Sequence, residues 1–250
     1  MRRADAGRTT LAPTSRSLEL SLADGEVHVW WGVDIRAFGD GDLSPAERER
    51  ARRFRRDVDR QRYVARRRVL RTLLGAYTKH HPADLRFETA RYGRPRLARP
   101  SVNLLFNLSH SGDAAAIAVS RRVVGIDIER VRSDIDASSL AARICSSAER
   151  ATLASLHPDD LVTAFFTCWA HKEAVCKADG RGLQLDPAIV DVTSAIHTGQ
   201  AVTTVPGEKM CAARWCSSSI ALIPGIAAAI AVAECGAKLT VRRLDSVLPG

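Results

Sequence analysis

The sequence predicts an α/β (α+β) fold of two similar lobes, each a helix packed on a mainly antiparallel sheet. Three observations point there. A helix-start signal at 44–47 opens a long helical stretch, and three strand-like segments follow it. A second such signal at 146–149 leads to a second long helix, again followed by short apolar stretches separated by turns. No low-complexity linker divides the chain, whose 250 residues suffice for one large domain or two small ones sharing a buried face.

Taken in order, residues 1–17 hold arginines but no apolar signal-peptide core and read as a disordered tail. Residues 26–35 (EVHVWWGVDI) are rich in valine and tryptophan and read as a strand. Ser44 then caps a helix, Pro45 suits its first position, and Glu47 completes a capping box. Ala51, Phe54 and Val58, then Val69, Leu70, Leu73, Leu74 and Tyr77, recur at helical spacing. The stretch 45–79 is therefore one long helix, or two with a break near 55–58. Tyr92-Gly93-Arg94-Pro95 is a turn with an exposed cation, and strands are expected over 102–108, 114–120 and 123–129. Ser146 and Glu149 form another capping-box pattern. A helix over 159–178 brings Leu161, Phe165, Trp169 and Cys176 near one stripe and stops at Gly180. Apolar stretches at about 188–193, 200–205, 210–215 and 226–233 read as the second sheet. The division falls between 122 and 123, giving lobes 18–122 and 123–250.

The formal charge is +9, carried mostly by arginine, and calls for an anionic partner or reflects compositional bias. Between Arg48 and Arg71 stand twelve arginines against three acidic residues, too many for one ligand, so most must be a solvated face. Six cysteines show neither CxxC nor Cys/His ligand spacing, which fits small core thiols in a reducing cytoplasm. The longest apolar run, 220–233, is broken by Pro224-Gly225 and is too short to span a bilayer, so a soluble protein without membrane association is expected.

Four segments carry chemistry. In Val124-Gly125-Ile126-Asp127-Ile128-Glu129 a strand would turn Ile126 and Ile128 to a core and put Asp127 and Glu129 on the other face. Two carboxylates about 7 Å apart on one strand face suit a hard cation such as Mg²⁺ with substrate phosphate. An edge strand with two solvated acids accounts for this motif equally well. On the second helix Trp169, Glu173 and Lys177 fall at i, i+4 and i+8. Glu173 could complete a metal site or act as a base, and Lys177 could meet a phosphate, or the two form a plain surface pair. Asn107-Leu108-Ser109-His110-Ser111-Gly112-Asp113 ends a strand in groups able to hold phosphate, although taken alone it reads more readily as a plain loop. Its Ser, His and Asp lie too close in sequence for a hydrolase triad, and no GxSxG is present. Arg50 and Arg62, with Arg94 in the turn, are candidate phosphate grips because guanidinium binds phosphate bidentately.

These segments, in this order, resemble the Sfp-type 4′-phosphopantetheinyl transferases. The matching pieces are RRF and the arginine helix at 52–71, YGRP at 92–95, NLSHS at 107–111, VGIDIE at 124–129 and WAHKEAVCKADGRGL at 169–183. The resemblance implies a pseudo-twofold monomer with coenzyme A and Mg²⁺ (or Mn²⁺) in the cleft between lobes, the first lobe gripping the nucleotide and the second carrying metal and catalysis. Asp127, Glu129 and Glu173 match the metal-binding acids, and Asp127 also a coenzyme A contact. Lys177 matches the lysine on the pyrophosphate, Ser109 and His110 match coenzyme A contacts with His110 near the 3′-phosphate, and Arg50, Arg62 and Arg94 match basic positions at the nucleotide end. One position that is basic in the family is Glu47 here, with Arg48 beside it as a substitute.

The implied reaction moves 4′-phosphopantetheine from coenzyme A to a serine of an acyl or peptidyl carrier protein, releasing adenosine 3′,5′-bisphosphate. It needs charge neutralisation on the pyrophosphate and a base for the serine proton. Glu173, directly or through a metal-held water, is the candidate base, and Lys177 would stabilise the leaving phosphate. The carrier supplies the nucleophile, so no activated serine or cysteine is required. An acidic carrier would suit the basic surface, residues 137–155 are the expected docking segment, and polyketide or non-ribosomal peptide synthesis is the expected setting. Two other readings exist. Nucleic-acid binding would use the charge, but the chain has three tyrosines and no reader motif. A coenzyme A binder without catalysis would not need the full trio of acids.

Overall fold

A computed structural model describes residues 19–33, 42–206 and 212–246. The expected tail at 1–17, the end of the 26–35 strand, the start of the 210–215 strand and Cys211 lie outside the described residues.

Strand β1 (Glu26–Val33) is followed by helix α1 (Pro45–Arg52), whose cap is the expected one: the Ser44 side chain accepts from the Glu47 amide and Glu47 accepts from the Ser44 amide. The helical stretch does break, and α2 (Asp57–Thr78) runs on for 22 residues to Lys79, whose left-handed φ of 57° closes it. A short hairpin follows, β2 (Arg86–Thr89) with β3 (Pro95–Arg99), its turn holding Gly93 at φ 87°. Strands β4 (Leu105–Ser111), β5 (Ala114–Ser120) and β6 (Val124–Arg130) come next. Then α3 (Ala137–Ile144), α4 (Ser147–Ala154) and the 22-residue α5 (Pro158–Asp179) precede α6 (Thr193–Thr198). Strands β7 (Gln200–Pro206), β8 (Ala212–Ser219), β9 (Ile226–Val232) and β10 (Lys238–Arg243) close the described chain.

The first sheet has the order β10-β1-β5-β4 and the second β6-β9-β8-β7. Alternating side chains bind these sheets to their neighbours. Val69, Leu70, Leu73 and Leu74 of α2 pack on Trp30, Phe106, Ala115, Ile117 and Val119 of the first sheet. Phe165, Ala170, Ala174 and Val175 of α5 pack on the second sheet, on Trp215, Ala229 and Ala231. The opposite faces meet, Val27, Val29 and Ala116 against Ile126, Ile128 and Ile230. The layers thus run helix, sheet, sheet, helix.

Some expectations differ from what is found. The stretch 188–193 is not a strand: a 3-10 turn spans Pro187–Ile189, and the carbonyls of Pro187 and Val190 accept from the buried Lys172 ammonium (2.9 and 2.6 Å). The hairpin β2–β3 and the strand β10, rich in arginine and lysine, show too little apolar alternation to be read as strands. Although 123–250 was expected to form one lobe, β10 crosses back to pair in parallel with β1, and Leu244 is buried in the first core. Cys216 and Cys235, expected as free thiols, are joined as a disulfide with Cα atoms 5.3 Å apart, while Cys145, Cys168 and Cys176 are buried thiols.

Candidate active site

The second face of β6 faces α5 at unusually short range. A Cβ on Gly125 would lie 2.0 Å from the Ala174 carbonyl oxygen and 2.5 Å from the Ala178 nitrogen. Only glycine permits this approach, and it brings the β6 acids beside the helix face bearing Trp169, Glu173 and Lys177.

Asp127 is 3% exposed, and Lys177 Nζ donates to its Oδ1 (2.6 Å), as does Ser109 Oγ (2.8 Å). Its other oxygen, Oδ2, is buried with no donor. Burial raises the Asp127 carboxyl above its usual range, against the opposing pull of Lys177 and its hydrogen bonds. Glu129 is held from two sides, by Ser111 Oγ on Oε2 (3.1 Å) and Trp169 Nε1 on Oε1 (3.3 Å). Burial and then the Asp127 charge raise it. Glu173 is raised by burial and by Asp127 and Glu129, with Lys177 pulling the other way. Three acids all raised by burial, two of them also by the Asp127 charge, with one orphaned buried oxygen among them, are short of positive charge. An all-oxygen donor set of this kind fits a hard divalent cation, so these residues could hold Mg²⁺.

The three acids do not all converge within 4.8 Å of one another. Among the described residues the set that does is Cys145, Glu149 and Cys168, all buried. Its carboxylate is already engaged: Lys172 Nζ lies 2.6 Å from Glu149, and the amides of Ser146 and Val192 donate to it at 2.7 Å. This cluster fastens α3, α4 and α5 together.

On the α2 side of the first sheet a cavity of about 1160 Å³ opens, and its lining includes Arg50, Arg62, Arg66, Tyr63, His110 and Gly112 but none of the three acids. Arg50 lies over the Tyr63 ring (5.5 Å to its centre), and Arg62 donates to Asp113 (2.8 Å). His110 keeps an edge open to the cleft. Desolvation, then Arg66, Lys177 and Arg62, push its ring down to about 4, so it is neutral near pH 7. Arg94 is not in the cavity lining. Its two terminal nitrogens donate to the carbonyls of Ala178 and Val124 (both 3.1 Å), which braces the first-lobe turn against the second lobe, while Gly93 and Pro95 line the cavity instead.

Glu47 is 7% exposed and does more than cap α1. It accepts from Arg67 and from Arg71 Nε (2.8 Å), and Arg71, 1% exposed, also donates to the carbonyls of Pro82 and Leu85. Burial would raise the Glu47 carboxyl, but Arg67, the Ser44 amide and Arg71 hold it below its usual range. Arg48 reaches back to the Leu43 carbonyl. Three site residues had been given no role of their own. Arg66 was one cation among twelve, and its only signal was a place one turn from Arg62. Ser111 and Trp169 were visible as motif letters, but their shared partner Glu129 lies on a different element.

Residues 123–231 match the family described as the 4′-phosphopantetheinyl transferase superfamily, and residues 41–122 match the 4′-phosphopantetheinyl transferase N-terminal family. The 4′-phosphopantetheinyl transferase HetI of Nostoc sp. is 34% identical over 232 residues, 87% of this chain and 92% of that protein. The 4′-phosphopantetheinyl transferase Sfp of Bacillus subtilis is 31% identical over 144 residues, 57% of this chain and 62% of that protein. The 4′-phosphopantetheinyl transferase AcpT of Escherichia coli K12 is 36% identical over 119 residues, 47% of this chain and 59% of that protein.

Proposed function

Because the chain belongs to the 4′-phosphopantetheinyl transferase superfamily, we propose that it transfers the 4′-phosphopantetheine group of coenzyme A to a serine of an apo acyl or peptidyl carrier protein. The observation that carries this reading is strand β4, whose His110 lines an arginine-lined cavity while its Ser109 and Ser111 bond Asp127 and Glu129 of the acid cluster. The cavity suits the nucleotide end of coenzyme A. Arg50, Arg62 and Arg66 would offer charge to its phosphates, neutral His110 a hydrogen bond, and Arg94 would keep the cavity turn in place.

At the reacting end the carrier serine oxygen forms a bond to the β-phosphorus as the bond to the adenosine 3′,5′-bisphosphate oxygen breaks. Glu173 takes the serine proton. Its raised carboxyl moves toward the pH at which a base works best. Lys177, fixed by Asp127 and Ser109, places a cation where charge grows on the leaving group. A divalent cation held by Asp127, Glu129 and Glu173, Mg²⁺ or Mn²⁺, would neutralise the pyrophosphate.

The partner in this reading is an acidic carrier of polyketide or non-ribosomal peptide synthesis, drawn by the +9 charge and met at α3 and α4, where Leu140 is exposed. A cytoplasmic monomer is the corresponding state. No helix among the described residues is long and apolar enough to cross a membrane. The test is intact-mass spectrometry of an apo carrier incubated with the protein and coenzyme A, with Mg²⁺ or with a chelator. One phosphopantetheine gained only with Mg²⁺ is the expected result. No gain on several acyl and peptidyl carriers, with coenzyme A still bound, would contradict the proposal.

A further inference from the structure

Strands β4 and β6 lie side by side at the junction of the lobes, yet they belong to different sheets and share no backbone ladder. Alternate side chains of β4 serve as the ladder instead. Asn107 Oδ1 accepts from the Ile126 amide (3.0 Å), Ser109 Oγ from the Ile128 amide (3.3 Å) and Ser111 Oγ from the Arg130 amide (3.0 Å). A two-residue period on both strands produces this row.

The row also fixes a hydrogen. A backbone amide can only donate, so each serine oxygen must accept from it, and the single hydroxyl hydrogen is left to point elsewhere. For Ser109 the acceptor in reach is Asp127 Oδ1, and for Ser111 it is Glu129 Oε2. Asn107 takes part in the same row but touches no carboxylate. Ser109 is further tied to Lys177, so its several bonds cannot be separated by one substitution. Ser111 has two: the Arg130 amide and Glu129.

We propose that Ser111 is a positioning residue, whose hydroxyl, locked by the Arg130 amide, holds the Glu129 carboxylate in the orientation that binds the divalent cation. Trp169 holds the other oxygen from α5, so Glu129 is stretched between the two lobes with a lone pair on each oxygen still free. This rests on the reading that Asp127, Glu129 and Glu173 hold a cation. Groups that orient ligating carboxylates affect metal affinity by about 10- to 100-fold.

The test is Mn²⁺ binding to the purified full-length chain, followed by electron paramagnetic resonance without carrier or turnover, alongside thermal unfolding. Four proteins are compared: wild type, Ser111→Ala, Ser111→Thr and Asn107→Ala. Ser111→Ala is expected to weaken Mn²⁺ binding by about 10-fold or more. Ser111→Thr, which keeps the hydroxyl, restores it. Asn107→Ala lowers the melting temperature but leaves Mn²⁺ affinity within about twofold of wild type, because its bond is purely structural. Equal Mn²⁺ affinity in wild type and Ser111→Ala would overturn the inference alone. Equal weakening by Asn107→Ala and Ser111→Ala would also overturn it, assigning the effect to the strand pairing. No Mn²⁺ binding by wild type would overturn the cation reading and this inference with it.

Discussion

Glu47 stands where a cation would be expected, and it is built into the first lobe as a buried counter-charge for Arg71 and Arg67. Removing one member of a buried pair leaves the other uncompensated, at a cost of about 3–5 kcal/mol. Glu47→Ala is therefore expected to lose that much in urea unfolding, and Glu47→Lys more, since it adds like charge. A Lys variant as stable as wild type would refute the role. The capping box was legible because its partners are three residues apart. The burial was not, because Arg71 lies 24 residues further on. His171, fully buried between Ser217 and Ser219 (2.8 and 2.9 Å), titrates down at about 4 through desolvation. Between there and the unfolded value of about 6.5 the unfolded chain binds the extra proton, so stability falls as pH drops through that window. His171→Asn is expected to flatten the slope of unfolding free energy against pH between about 6.5 and 4. An unchanged slope would show that His171 does not contribute to it.

At the scale of elements, Gly125 sets the distance between β6 and α5 on which the carboxylate cluster depends. Gly125→Ala forces its methyl onto the Ala174 carbonyl, and overpacking of this kind costs about 1–3 kcal/mol. The expected outcome is a lower urea midpoint together with weaker Mn²⁺ binding, and a variant matching wild type in both would contradict the close-approach account. Helices α1, α2, α4 and α5, and β4 to β6, were readable because capping boxes, helical spacing and two-residue alternation are local signals. The pairing of Asp127 and Glu129 on one face followed from that alternation. The stretch 188–193 misled because Val190 and Val192 are buried in the second core while Ile189 is exposed, with the Pro187 and Val190 carbonyls claimed by Lys172 rather than by a neighbouring strand. Strand β10 has little alternating apolar content, and its place beside β1 is a long-range pairing that no local pattern encodes.

Across the whole molecule the two sheets sit back to back, each with its own 22-residue helix outside, and the polar site collects where β4 of one sheet meets β6 of the other. In the proposed function, binding and chemistry are thereby divided. The arginine-lined cavity belongs to the first lobe and Glu173 to the second, with Arg94 and the β4 side-chain row bridging them. That Asp127, Glu129, Glu173 and Lys177 would come together was legible from motif letters and spacing. That Arg94 braces the junction was not, because its carbonyl partners come from Val124 and Ala178, and only the fold brings these together. The division makes Glu173→Gln the most direct test, read by single-turnover transfer to an apo carrier with coenzyme A affinity measured by calorimetry. The account predicts coenzyme A binding close to wild type and transfer slowed by about 10²- to 10⁴-fold, the usual effect of removing a general base. Transfer by Glu173→Gln at the wild-type rate would contradict it.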